Sequence, residues 1–155
     1  MLYLDASALM KRYYEEKGSR AVSARFETGE PIFTSVLSYG EVHAAMGRKF
    51  RSDEANVQGL QRRREAFTND WLFGLSKVDL NVNTMSELPR LVEQYDLRAG
   101  DAIHLSAAFW LKDTVRLRQG SAPSDEIVEF GVADRRLSKI AALCGLRVFN
   151  PEDSS

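Results

Sequence analysis

Short apolar runs alternate with amphipathic stretches along the whole chain. Leu2-Tyr3-Leu4 is a continuous apolar run closed by Asp5, the pattern of a short buried strand. Ala6-Ser7-Ala8-Leu9-Met10 follows, and a helix is predicted over 7–14, with a break at Gly18. A second short helix is predicted over 19–28, ending near Gly29, and Pro31 opens a strand, Ile32-Phe33-Thr34. From Ser38 to Phe50 the residues Tyr39, Val42, Met46 and Phe50 share one side. From Asp53 to Phe67 the spacing of Val57, Leu60, Phe67 and Trp71 repeats that arrangement, so these two helices are expected to form a hairpin protruding partly from the sheet. Residues 75–80 alternate weakly, as a strand would. Thr84-Met85-Ser86-Glu87 has capping-box spacing before Leu88, Leu91, Val92 and Tyr95. Gly100 separates that helix from the next, predicted from Asp101 to Leu111. Residues 112–126 are polar and contain Gly120 and Pro123, which reads as a loop. Residues 127–132 are the clearest strand, 135–144 a helix capped by Gly145, and Leu146-Arg147-Val148-Phe149 a last strand. Such alternation implies an α/β fold of three layers, with a parallel sheet covered on both faces. Residues 1–150 are read as a single domain and 151–155 as a fraying tail.

Composition changes this picture little. A chain of 155 residues, 44% hydrophobic, has enough apolar material for one ordinary core. The net charge is −1; setting four candidate acids aside turns it into +3, a mildly basic surface around an acidic hole. Cys144 is the only cysteine, which excludes an intramolecular disulfide and any Cys/His zinc framework. It continues the face of Leu137, Ile140 and Ala141 and reads as a core thiol. No basic leader precedes an apolar segment and no run reaches membrane-spanning length, so a cytoplasmic location is expected.

The chemistry concentrates in four acids. Asp5 and Asp134 each end an apolar run and precede a helix; Glu41 and Asp101 each follow a glycine at or near a predicted helix start. In an open parallel sheet, ligands bind beyond the carboxyl ends of the strands, so these acids can share one crevice. Crowded carboxylates repel and need a proton or a divalent cation. Each acid also has a plain structural reading, since Asp is a preferred helix N-cap and Ser38-Tyr39-Gly40-Glu41 fits a capping box. Capping, however, does not require all of them to face one edge. Asp79 and Asp125 are weaker candidates, and Asp113 and Glu126 weaker still. Ser7 can start a helix or hold Asp5. His104 falls on the same helical side as Asp101, but oxygen-rich sites for Mg²⁺ or Mn²⁺ need no imidazole; His43 carries less weight. Arg98, Arg135 and Arg136 are placed to hold a phosphate backbone, Arg116 and Arg118 to swing over a substrate, and Arg62-Arg63-Arg64 to form a solvated face, with Arg64 near the apolar seam.

These residues resemble a PIN-domain ribonuclease, and most closely a VapC-type toxin of a toxin–antitoxin pair. Leu2-Tyr3-Leu4-Asp5-Ala6-Ser7-Ala8-Leu9-Met10-Lys11 is similar to the family's first strand and helix, and Ser35-Val36-Leu37-Ser38-Tyr39-Gly40-Glu41-Val42 to its second acidic motif. Leu97-Arg98-Ala99-Gly100-Asp101-Ala102-Ile103-His104-Leu105 is the most specific match. Ala133-Asp134-Arg135-Arg136-Leu137 and the strand after it resemble the closing motif. The resemblance implies a three-layer α/β/α PIN-like fold, with Asp5, Glu41, Asp101 and Asp134 as catalytic residues and metal ligands and Ser7 as the supporting hydroxyl. It also implies Mg²⁺ or Mn²⁺ as cofactor, RNA as substrate, a homodimer, and a cognate antitoxin protein as partner. One departure is Val132, where many relatives carry a hydroxyl. The antitoxin's helix is expected in an apolar groove near Tyr13, Tyr14 and Phe50. Rival readings are an RNA-processing PIN nuclease without an antitoxin, a phosphoacceptor receiver domain, and a non-catalytic binding module in which the acids are only caps.

Overall fold

The computed structural model describes residues 1–52, 57–119 and 128–153. Five parallel strands form one sheet in the order β3-β2-β1-β4-β5. They are β1 (Leu2–Leu4), β2 (Ile32–Ser35), β3 (Leu75–Val78), β4 (Glu129–Gly131) and β5 (Arg147–Phe149). Parallel neighbours need crossovers, here supplied by α1 (Ala6–Met10), α2 (Ser19–Glu27), α3 (Leu37–Ser52), α4 (Val57–Asn69), α5 (Leu88–Tyr95), α6 (Ala99–Gln119) and α7 (Arg135–Leu143). A π-helical turn, Asp70–Gly74, continues α4 into β3. Receiver domains have the order 2-1-3-4-5, so this topology excludes the receiver reading.

Register decides which face each strand residue buries. Leu2 pairs with Ile32, and Tyr3 with Phe130. Leu2, Leu4 and Ile32 point to one face, where they pack with Leu9, Val22, Val42, Met46, Leu60 and Phe67. Tyr3, Phe130 and Val132 point to the other, against Leu91, Leu105, Ala108, Leu111, Leu137 and Ile140. The sheet is thus covered on both sides, and β1 lies at its centre. No helix among the described residues is long and apolar enough to cross a membrane.

Several boundaries differ from the sequence pattern, each for a local reason. The helix predicted over 7–14 is α-helical only to Met10; Lys11, Arg12 and Tyr13 tighten into turns, their N–H groups donating three residues back. The segment read as a loop from 112 is helix through Gln119, because Lys112, Arg116, Leu117, Arg118 and Gln119 are good helix formers and Gly and Pro begin only at 120. Arg116 and Arg118 therefore sit on a helix, not on a swinging loop. The expected capping box at Thr84 does not form. Its Oγ1 donates to the Asp79 carbonyl at 2.7 Å and accepts from Asn81 N, closing a turn, and α5 starts at Leu88 with Pro89 in its first turn. The helix start at Asp53, the first strand residue Ile127, the end of the polar loop with Asp125 and Glu126, and the last two tail residues lie outside the described residues. Residues 151–153, read as fraying, form a turn: Pro151 is buried, and the buried Lys11 ammonium donates to Glu152 at 2.7 Å and to the Lys17 carbonyl at 2.8 Å.

Gly131 is where the sheet core admits no extra atom. A Cβ there would lie 2.5 Å from Leu4 Cδ2 and 3.3 Å from Phe149 Cδ1, both held by packing. Gly131→Ala is expected to destabilise the fold by about 1–3 kcal/mol through overpacking. Urea unfolding measures it; an unchanged midpoint would contradict the packing described.

Candidate active site

The sheet's carboxyl edge gathers residues from four separate stretches of chain. Asp5 follows β1 directly and caps α1, its Oδ1 accepting from Ala8 N at 2.8 Å. The Ser7 hydroxyl lies 2.8 and 2.9 Å from the two Asp5 oxygens and donates to them, while accepting from Ala133 N at 3.0 Å. Ser7 thereby joins the end of β1 to the segment leading into Asp134. Asp134 caps α7, accepting from Leu137 N at 2.7 Å. Asp101 stands in the first turn of α6, half-buried. Glu41 is one turn into α3, and its Oε2 lies 2.8 Å from His104 Nε2. All four acids, with Ser7, His104, Arg48 and Arg98, line one cleft of about 430 Å³.

Capping accounts for two of the four. Asp5 and Asp134 do cap helices, and Asp is suited to both tasks. Asp101 lies inside its helix, not before it. Glu41 makes no capping box with Ser38, whose Oγ is instead 2.6 Å from Thr34 Oγ1. A purely capping role leaves these two acids unexplained.

The cleft is short of positive charge. Asp5 is 5% exposed, and burial pushes its carboxyl from 3.8 up to about 6, with Glu41 adding repulsion and His104, Ala8 N and Ser7 opposing. Asp101 is also held above the usual carboxylate range, first by burial and then by the negative charge of Asp134. A buried carboxylate that resists ionisation among other acids is an environment a cation would relieve. The donor set is oxygen, which suits hard divalent ions. Among the described residues, no three Asp, Glu, His or Cys side chains converge as a ready coordination cage. The four acids thus share a cleft without closing on a common point.

Other expectations resolve individually. His104, given little weight from sequence, is buried and bonded at both ring nitrogens. Arg48 escaped notice, although Glu41, Ala45 and Arg48 follow helical spacing along the one face of α3 that lines the cleft. Arg98 lines the cleft; Arg135 does not, and Arg136 donates to the Tyr95 and Asp96 carbonyls at 3.1 and 2.9 Å. Asp79 is exposed beyond β3 and does not reach the cleft, and Asp113 is exposed on α6. His43 packs edge-on to Tyr39 and Phe67. Arg64 Nε is buried with no hydrogen-bond partner among the described residues. Val132 is a buried core residue whose N–H donates to Phe149 O; a hydroxyl reaches this segment from Ser7 instead. Of Tyr13, Tyr14 and Phe50, only Tyr13 borders a cavity among the described residues, about 290 Å³ and lined mainly by Arg12, Arg62 and Arg63. Tyr13 is buried with its hydroxyl on Asp70, Tyr14 is covered by Lys49 and Arg63, and Phe50 packs on the core. The exposed apolar side chains nearest in sequence are Tyr39 and Val57, and Leu72 and Phe73 are exposed on the π-helical turn.

The chain is similar to known proteins in sequence and in fold. The PIN domain family profile matches residues 2–142. Ribonuclease VapC45 of Mycobacterium tuberculosis is 28% identical over 148 residues, covering 96% of this chain and 94% of that protein. The fold is similar to VapBC2 from Rickettsia felis bound to a DNA fragment from their promoter (TM-score 0.62, 12% identity). It is also similar to a toxin–antitoxin complex from Klebsiella pneumoniae (TM-score 0.58, 17% identity); each alignment covers 97% of this chain and 98% of the other.

The raised Asp5 carboxyl has a consequence for stability. The folded chain holds the Asp5 proton more tightly than the unfolded one, so this contribution is full below about pH 4 and is lost as pH rises through about 6. Asp5→Asn keeps an oxygen for Ala8 N and removes the buried charge. In EDTA at pH 8 it should stabilise the protein by on the order of 1–3 kcal/mol, with little difference at pH 3. Thermal melts at both pH values measure this, and a destabilised variant at pH 8 would refute the burial cost.

Proposed function

Because the chain belongs to the PIN domain family, we propose that it is a divalent-metal-dependent endoribonuclease and the toxin of a type II toxin–antitoxin pair. The observation that carries this reading is the cleft itself. Acids from four stretches of chain line it, and two of them, Asp5 and Asp101, are held above their ordinary range first by burial and then by neighbouring acids. The name of the Mycobacterium tuberculosis relative supports RNA as substrate, and the titles of the structural neighbours support an antitoxin partner. A homodimer and a cytoplasmic location go with the same reading.

In this mechanism Asp5, Asp101 and Asp134 would hold Mg²⁺ or Mn²⁺, and Glu41 would complete the set. The ion, when bound, supplies positive charge opposite the scissile phosphate and makes nearby water more acidic. The protein's own groups do the positioning. Ser7 fixes the Asp5 carboxylate by donating to it, and the Ala133 N–H fixes Ser7 in turn. Arg48 and Arg98, on the cleft wall, bind flanking phosphates. Glu41 orients the attacking water. Water oxygen bonds to phosphorus, the bond from phosphorus to the 3′-oxygen breaks, and that oxygen leaves with a proton as a 3′-hydroxyl.

With Mg²⁺ and a structured RNA, Asp5→Asn and Asp101→Asn should each slow cleavage by more than about a hundredfold, the loss of several kcal/mol of charge stabilisation. The products should carry 5′-phosphate and 3′-hydroxyl ends. Finding 2′,3′-cyclic phosphates, or full activity in Asp5→Asn, would overturn the mechanism. Co-expression with the product of a small upstream reading frame should give a complex that no longer cuts RNA; a complex that cuts at the free rate would remove the toxin reading and leave a processing nuclease.

A further inference from the structure

Glu41 differs from the other acids in how it is held. Asp5 and Asp134 rest on backbone N–H groups of their own helices; the Glu41 carboxylate rests on a different helix. Its Oε2 lies 2.8 Å from Nε2 of His104 on α6. His104 is 2% exposed, and its Nδ1 is 3.1 Å from the hydroxyl of Tyr3. Tyr3 is fully buried at the middle of the central strand and stacks on Phe130 at 5.7 Å between ring centroids. An ionised Glu41 can only accept, so Nε2 carries the proton. Nδ1 pairs with the Tyr3 hydroxyl, which can donate or accept as the ring requires. Both ring nitrogens are satisfied, and the imidazole is pinned from the sheet outward.

The other Glu41 oxygen explains a glycine. A Cβ at Gly100 would stand 2.9 Å from Glu41 Oε1. Gly100 is helical and is not among the residues with positive φ, so its backbone does not demand glycine. Glycine also weakens a helix relative to alanine. Space for the Glu41 carboxylate is what position 100 provides, directly beside Asp101.

We propose that Tyr3, His104 and Gly100 form a clamp that sets the Glu41 carboxylate at the cleft, with His104 as a positioning residue and Gly100 as the gap that admits Glu41 against α6. The clamp joins α3 to α6, so the carboxylates of Glu41 and Asp101 are presented together. It rests on the acidic cleft being the reaction site, and it goes beyond that reading by assigning roles to three residues outside the acidic set.

Gly100→Ala tests the clamp without touching the core. The atom it meets is the carboxylate end of a side chain 35% exposed, so the protein should still fold, the gain in helix propensity offsetting part of the lost His104 contact, while Glu41 is pushed toward solvent. The ¹⁵N and ¹H resonances of His104 Nε2 should shift, and the calorimetric Kd for Mn²⁺ should weaken by roughly ten- to a hundredfold. His104→Leu should show the same loss, and His104→Gln, whose amide N–H can reach Glu41, should recover most of it. Should His104→Leu fail to fold, Gly100→Ala decides alone. A Gly100→Ala protein with wild-type His104 resonances and wild-type Mn²⁺ affinity would overturn the clamp. Should the wild-type chain bind no Mn²⁺, the metal-dependent reading fails separately. The His104 resonances of Gly100→Ala then decide: a shift supports the clamp and no shift overturns it.

Discussion

The burial of one carboxylate, Asp5 at the end of the central strand, is the constraint on which the rest of the site depends. Three things hold it there: the Ala8 N–H of the helix it starts, the Ser7 hydroxyl, and the strand that ends on it. Those contacts fix its position without neutralising its charge. The same side chain is therefore both a cap that the fold uses and a charge that the fold tolerates poorly. Under the proposed function, that conflict is what a divalent ion would resolve.

Placement of the other acids follows from topology. All five strands are parallel, so every strand ends at the same edge. The helices after β1, β2 and β4 begin there, and α6, entered from α5, brings its first turn to the same rim. Four sequence-distant acids reach one cleft because the connections return to that edge, not because any local segment contains a site. Ser7, bonded to both Asp5 and the backbone beside Asp134, makes two of those segments one unit.

Much of this was legible from the residues. The apolar run ending at Asp5, its counterpart before Asp134, and the Gly-Asp start of a long helix located three of the acids and the parallel architecture. What escaped was information carried by tertiary contact. His104 looked like a lone histidine because its partners, Tyr3 and Glu41, are 101 and 63 residues away. Polarity alone misread residues 112–119 as loop, since a helix end with one exposed face is as polar as a turn. The apparent capping boxes at Ser38 and Thr84 do not form: Ser38 lies inside α3 with its hydroxyl on Thr34, and the Thr84 hydroxyl accepts from Asn81 N. Arg136 looked available for phosphate and is instead held by two carbonyls at the end of α5.

The central claim is that an ion relieves a carboxylate the fold holds uncomfortably. A ¹³C NMR titration of the Asp5 side-chain carboxyl, with and without Mg²⁺, tests it most directly. The account predicts a midpoint near 6 in the metal-free protein, falling by about one unit or more when Mg²⁺ is added. A midpoint at the ordinary aspartate value in the metal-free chain, or one that Mg²⁺ leaves unmoved, would contradict it.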